Sequence, residues 1–146
     1  MGLRAVGLGI ADVLRATDLD ELAAIVASYR PARGDAAVVR GVLDRWEDRQ
    51  AIGNLLLHPA LVPADLRAPV LLRALGDAVP YLRLAAAAGA GGLDVRELAG
   101  ADRDALVVAL LATVDGPEDL IATRAAASLG AVAVPADAGG IVALLA

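Results

Sequence analysis

Residues 77–89 read DAVPYLRLAAAAG, and this stretch carries the signals of a short, closely packed helix. Pro80 suits the first helical residue, because its φ is already helical and its missing N–H would have no partner there. Gly89 is a natural stop, since glycine is common just past a helix C-terminus. The four consecutive alanines before it let neighbouring helices approach closely. The stretch therefore predicts one helix of a tightly packed helical core.

The same pattern extends in both directions. Apolar residues recur at helical spacing, and proline, glycine and aspartate separate the segments. The run AVAV at 131–134 is the one strand-like sequence, and it is too short to pair usefully. The predicted helices cover 18–30, 35–57 as two helices or one bent helix, 63–75, 80–88, 95–99, 102–114, 117–129 and 137–145. We expect Asp102 to cap the helix that follows it, Gly130 to stop the helix before it, and Pro69 to lie close to the first turn of its helix. We therefore predict an all-α chain of about seven to eight helices.

Length and composition predict a single domain over residues 1–146. A chain of about 150 residues buries one core. The apolar residues are 58% of the chain, with no Phe, one Trp and two Tyr, so this core consists of small aliphatic side chains.

Few residue types suited to catalysis are present. The chain has no Cys and a single His, His58, which excludes disulfides, thiolate metal sites and any site with two imidazoles. His58 precedes Pro59, a context that predicts a helix end. No glycine-rich phosphate-binding string follows a strand. We therefore predict no catalytic residue, no cofactor and no metal, and expect the chain not to be an enzyme.

Two acidic groups have structural explanations. Glu47 and Asp48 fit a solvated start of the next helix. Asp115, Glu118 and Asp119 offer oxygen ligands, but their spacing matches no calcium loop. Acidic residues in a first helical turn are favoured by the helix dipole, and this explains them better than a cation site.

Charge and hydropathy restrict the partners and the location. The net charge is −5, and residues 101–146 contain two Arg against six acids, so nucleic-acid binding is not expected of the chain as a whole. No uncharged stretch reaches the roughly 20 residues of a membrane span, and the apolar run at the N-terminus is shorter and weaker than the core of a signal peptide. We predict a cytoplasmic protein. All 13 basic residues are Arg, which fits a GC-rich, bacterial source.

Trp46 is the residue with two open interpretations. It continues the apolar stripe of Val39, Val42 and Leu43, which favours core packing. Arg45 and Arg49 flank it, and Trp and Arg are both enriched at interface hot spots. Arg45, Trp46 and Arg49 are therefore candidate partner-binding residues.

The run DAVPYLRLA at 77–85 resembles the turn and second-helix start of a HEAT-type repeat, in which an Asp in the turn precedes an Arg and a helix of small residues. Residues 119–124 and 44–49 are looser copies, one residue shorter. The stretch 49–66 also resembles a leucine-rich variant repeat, with His58 in place of the usual Asn. The resemblance covers about residues 36–146. It implies a short α-solenoid, a HEAT-like superhelix, and brings no catalytic residue with it.

The leading functional prediction is a non-catalytic protein–protein interaction or scaffolding module. A stack of short helices offers a concave or terminal surface to another protein. The alternative is a helical-repeat domain that binds nucleic acid or processes bases through the Arg45, Trp46 and Arg49 region. Association that survives high salt favours the first, and salt-dependent DNA binding favours the second.

The C-terminal sequence GGIVALLA, residues 139–146, contains no charged residue, and the last charged residue before it is Asp137. If it is helical, its apolar residues occupy much of the helix circumference, more than one packed face needs. Ile141, Leu144 and Leu145 are therefore further candidates for partner binding, with a homo-oligomer slightly favoured over another protein. The alternative is a last helix that packs entirely into its own core.

Overall fold

The structure, a computed structural model, describes residues 9–132, and every regular element in this part of the chain is a helix. The prediction of an all-α chain is confirmed for these residues. The predicted helix at 137–145 lies outside them. The eight α-helices are α1 (Ile10–Arg15), α2 (Leu19–Ala27), α3 (Asp35–Arg45), α4 (Arg49–Leu57), α5 (Ala64–Leu75), α6 (Pro80–Gly89), α7 (Gly100–Val114) and α8 (Asp119–Val132). Short 3-10 turns lie at Pro59–Leu61, Ala90–Gly92 and Val95–Glu97.

Helix α6 lies at the centre of the packing. It contacts α4 on one side and α8 on the other, and α5 packs against it as well. Helix α1 extends this arrangement by packing on α4, while α7 packs on both α5 and α8. Helix α3 is joined to α5 by an ion pair of 2.8 Å between Arg40 and Asp65.

The segment 35–57 forms two helices, which decides between the two predicted forms. Helix α3 ends at Trp46, which adopts a left-handed backbone conformation with φ of 52°. Such a residue reverses the chain direction at a helix C-terminus, and it is rarely as large as Trp. Helix α4 then starts with Asp48 as its cap, whose carboxylate accepts from the N–H of Ala51 at 3.1 Å.

Three local predictions need correction. Asp102 lies inside the first turn of α7 and does not cap it, because the helix already begins at Gly100. Gly130 does not end α8, which continues to Val132, because the glycine backbone also tolerates a helical position. Pro69 is the sixth residue of α5, farther from the first turn than expected.

The backbones of α4 and α6 approach each other so closely that only glycine fits between them. A Cβ atom on Gly89 would lie 1.7 Å from the carbonyl oxygen of Leu56. Ala85, Ala86 and Ala87 of the same helix are buried against the core. The close packing expected from the alanine-rich composition is thus present at this crossing.

A buried amide holds α1 against α4. Asn54 is 2% exposed, and its side-chain amide donates to the carbonyl oxygens of Val13 at 2.8 Å and Ala16 at 2.9 Å. Gln50 donates in turn to Asn54 and to Ala16. The last carbonyls of a helix have no partner within it, so these side chains satisfy the end of α1.

Candidate functional site

Trp46 is half-buried and bound on two sides by groups that are distant in sequence. Its indole N–H donates to the carboxylate of Asp77 at 2.9 Å. The guanidinium carbon of Arg73 lies 4.1 Å from the centre of the indole ring, a cation–π arrangement. The side chain also packs on the hydrophobic core. Trp46 therefore joins the end of α3 to α5 and to the turn that follows α5.

The predicted neighbours of Trp46 have lesser roles. Arg45 is exposed and lies beside Gly41 of its own helix. Arg49 acts at a distance: with Arg73 it helps to lower the pKa of Asp77. The larger causes of that lowered pKa are the hydrogen bonds from the Trp46 indole and from the N–H of Val79.

A series of hydrogen bonds continues from Asp77 to the next inter-helix turn. Arg83 donates to the backbone oxygen of Asp77 at 2.8 Å and also forms an ion pair with Glu118, which precedes α8. We call Trp46, Asp77, Arg83 and Glu118 the turn ladder. Glu118 is thus used in an ion pair, while its neighbour Asp119 lies in the first turn of α8, as expected.

An apolar groove lies over α6, and we name it the α6 groove. It encloses about 400 Å³. The contributing residues come from four helices: Leu19 of α2, Leu57 of α4, Tyr81, Leu84, Ala85 and Ala88 of α6, and Leu120 and Arg124 of α8. Clefts of this size and apolar character are the usual form of binding sites.

Exposed apolar side chains converge on this groove. Five large hydrophobic residues are exposed among residues 9–132, and three of them line it. These are Leu19, 67% exposed, Leu120, 59% exposed, and Tyr81, 40% exposed. Scattered apolar residues on a surface are ordinary, but a contiguous group marks an interaction site.

Among residues 9–132, Arg124 is the one charged residue that lines the α6 groove. It forms no ion pair with any of residues 9–132. Tyr81 also lines the groove, and burial raises the pKa of its phenol above the ordinary value. The groove therefore combines apolar walls with a cation, Arg124, that no acid of the described residues pairs.

A second cavity of about 390 Å³ lies between α5, α6, α7 and α8. Its charged residues are Arg83 and Glu118, which already pair with each other in the turn ladder. Within residues 9–132, the lining of this cavity therefore presents no charge that needs an external partner.

Other predicted candidates divide into those observed and those outside the described residues. His58 follows the last residue of α4 and ends the helix, as predicted, and burial lowers the pKa of its imidazole. Ile141, Leu144 and Leu145 lie beyond residue 132, outside the described residues. Within 9–132, no group of three or more His, Cys, Asp or Glu side chains is placed to hold a metal ion.

Among residues 9–132, no helix has both the length and the apolar character that crossing a bilayer requires. Comparisons with protein-family models, with curated proteins and with solved structures find no match to this chain.

The α6 groove is not evident from the amino-acid sequence. One signal was available, since Tyr81, Leu84, Ala85 and Ala88 follow the i, i+3, i+4, i+7 pattern of a single helix face. The same pattern is equally typical of a helix face that packs into the core. Only the packing shows that part of this face remains open.

Proposed function

We propose that this chain is a non-catalytic protein-binding module, a short HEAT-like α-solenoid that holds a partner protein in the α6 groove. The observation that carries the proposal is the convergence of Leu19, Tyr81 and Leu120 on one concave apolar surface. Keeping such residues exposed is unfavourable in water, and a partner that covers them recovers the free energy of apolar burial.

Two features support the solenoid. Helices α4, α6 and α8 are every second helix of the chain, and each packs on the next of the three. The turn ladder links the ends of successive helix pairs through an Asp and an Arg, the residue types of the HEAT-like turn at 77–83. In such a stack the face formed by one set of helices is a natural binding surface.

The test compares three forms of the chain in a pull-down from a lysate of the source organism. Leu120→Asp places a charge in the α6 groove. The matched control is Val108→Asp on α7, because Val108 is 67% exposed and does not line the groove. Both sites are solvent-exposed, so each change alters folding stability by about 0.5 kcal/mol or less.

We expect a protein that the wild type and Val108→Asp retain at high salt and that Leu120→Asp loses. High salt screens exposed charge pairs but leaves apolar contacts intact. If Leu120→Asp retains every protein that the wild type retains, or if the wild type retains none, the proposal fails.

The nucleic-acid alternative remains a prediction for the Arg45, Trp46 and Arg49 surface. One face of the indole already carries Arg73, and its N–H is used by Asp77. Bases bind aromatic side chains by stacking on their faces, so this arrangement leaves less of Trp46 for a base. The protein-binding role is therefore the better supported of the two.

A further inference from the structure

The shape of the α6 groove indicates which kind of protein segment fits it. Its floor is the stripe Tyr81, Leu84, Ala85 and Ala88, about 10 Å long at the helical rise. Two small residues at the end of that stripe leave room for the backbone of a second helix to approach α6. Leu19 and Leu57 contribute to the groove from α2 and α4, and Leu120 contributes from α8.

A helix satisfies its own backbone hydrogen bonds, whereas an extended segment that binds by backbone pairing needs an open sheet edge. The described residues contain no sheet that could offer one. An amphipathic helix, with apolar residues at i, i+3, i+4 and i+7, matches an apolar groove of this kind.

The charged residues at the α6 groove restrict which amphipathic helices can bind there. Arg124 lines the groove and lacks an ion pair within the described residues, so a carboxylate on the partner would complete it. Asp20 is the chain neighbour of Leu19 and Asp119 that of Leu120, and both are exposed. These two acids disfavour a partner helix that is acidic along its whole length.

We propose that the α6 groove binds an amphipathic helix of a partner protein with one carboxylate beside its apolar face, and that Arg124 pairs with this carboxylate. The inference rests on the proposed function, because it names the class of partner that the groove holds. Apolar side chains of the partner contact Leu120 and Tyr81, and the ion pair fixes the direction of the bound helix.

The test is a selection from a displayed library of 18-residue helices. The library keeps leucine at i, i+3, i+4 and i+7 and randomises the flanking positions. It is selected in parallel on the wild type, on Arg124→Glu and on Arg33→Glu. Arg33 is the matched control, since it is exposed and lies outside the groove.

We expect Asp or Glu to be enriched at one flanking position on the wild type and on Arg33→Glu. On Arg124→Glu, Lys or Arg should replace the acid at that position. A selected acidic peptide should bind Arg124→Glu about fivefold or more weakly than the wild type, the upper range of a partly exposed ion pair. Leu120→Asp should abolish binding of the same peptide.

Three results would overturn the inference: no selected helix loses binding on Leu120→Asp, no flanking position prefers an acid, or the preference survives Arg124→Glu. If the pull-down partner is still lost on Leu120→Asp in any of these cases, the proposed function stands and only the partner class is wrong. If acidic helices are selected but no native partner depends on Leu120, the proposed function fails instead.

Discussion

Replacing Gly89 by alanine should separate α4 from α6, because the added methyl group has no space. The new Cβ would lie 1.7 Å from the Leu56 carbonyl oxygen and 2.8 Å from its carbonyl carbon. Both are backbone atoms within α4, so neither can rotate away as a side chain would. The helices themselves must move.

The size of the effect follows from this geometry. The Cβ–oxygen distance has to grow from 1.7 Å to at least 3.0 Å, the closest approach seen for real Cβ atoms. A gap of about 1 Å already removes a quarter to a half of the dispersion energy of each contact across an interface. Overpacking a core costs about 1–3 kcal/mol, and this case lies at the upper end because the backbone is the obstacle. We expect a loss of about 3 kcal/mol and a Tm lower by about 10 °C.

Urea unfolding followed by circular dichroism measures this loss. The control is Gly130→Ala in α8, where no atom of the described residues lies within 4 Å of the added Cβ. Alanine at that position should stabilise the chain by about 0.5–1 kcal/mol, the ordinary gain of Ala over Gly in a helix. A loss below about 1 kcal/mol for Gly89→Ala, or an equal loss at both glycines, would show that α4 and α6 do not cross as closely as described.

Three further predictions concern buried or paired polar groups. Asn54→Asp places a carboxyl group beside two carbonyl oxygens, which raises its folded-state pKa above the unfolded value of about 3.9 and destabilises the fold by about 3 kcal/mol at pH 7. The protonated carboxyl group is tolerated at this position, so the loss of unfolding free energy grows as the pH rises above about 4. An equal loss in urea titrations at pH 3.5 and pH 7 would contradict this prediction. Trp46→Phe removes the indole donor, so the lowered pKa of Asp77 should rise toward its ordinary value in an NMR titration. The variant should then lose less stability than the wild type as the pH falls through the pKa of Asp77. An unchanged pKa of Asp77 would refute the role of the indole. Burial and then the Asp35 carboxylate raise the pKa of Tyr29 to about 12, so Asp35→Asn should lower it in an ultraviolet absorbance titration, whereas no change would assign the whole shift to burial.

The helical class and several helix ends were predictable from the sequence, because both depend on local chemistry. Pro80 begins α6, as its backbone preference indicates. Gly89 is the last residue of α6 and keeps a right-handed helical φ of −71°, so it does not stop the helix as expected, and the close approach of Leu56 is the reason that glycine is needed there. Asp18 and Asp48 cap the helices that follow them for an equally local reason. Gly130 shows the limit of this reasoning, since a glycine that ends one helix is tolerated inside another.

The partners of Trp46 and the α6 groove were not predictable in the same way. Asp77 lies 31 residues after Trp46, and no spacing rule connects two residues so far apart. The groove needs residues from α2, α4, α6 and α8, so it exists only once these helices have packed. Arg124 has an ordinary place on a helix surface in the sequence, and only the packing shows that it has no ion pair with the part of the chain that the structure describes.

The three aromatic residues of this chain amount to a set of separate optical reporters. The chain has one Trp, two Tyr and no Phe, and each of the three lies at a different junction. Tyr29 joins the end of α2 to Asp35 of α3, Trp46 joins α3 to Asp77, and Tyr81 faces the α6 groove. Indole emission therefore follows the contact between α3 and α5, and the difference in phenol absorbance between the wild type and Tyr81→Phe isolates the groove. The two signals thus report separately on the detachment of α3 from α5 and on the occupancy of the α6 groove. Neither measurement needs an attached dye.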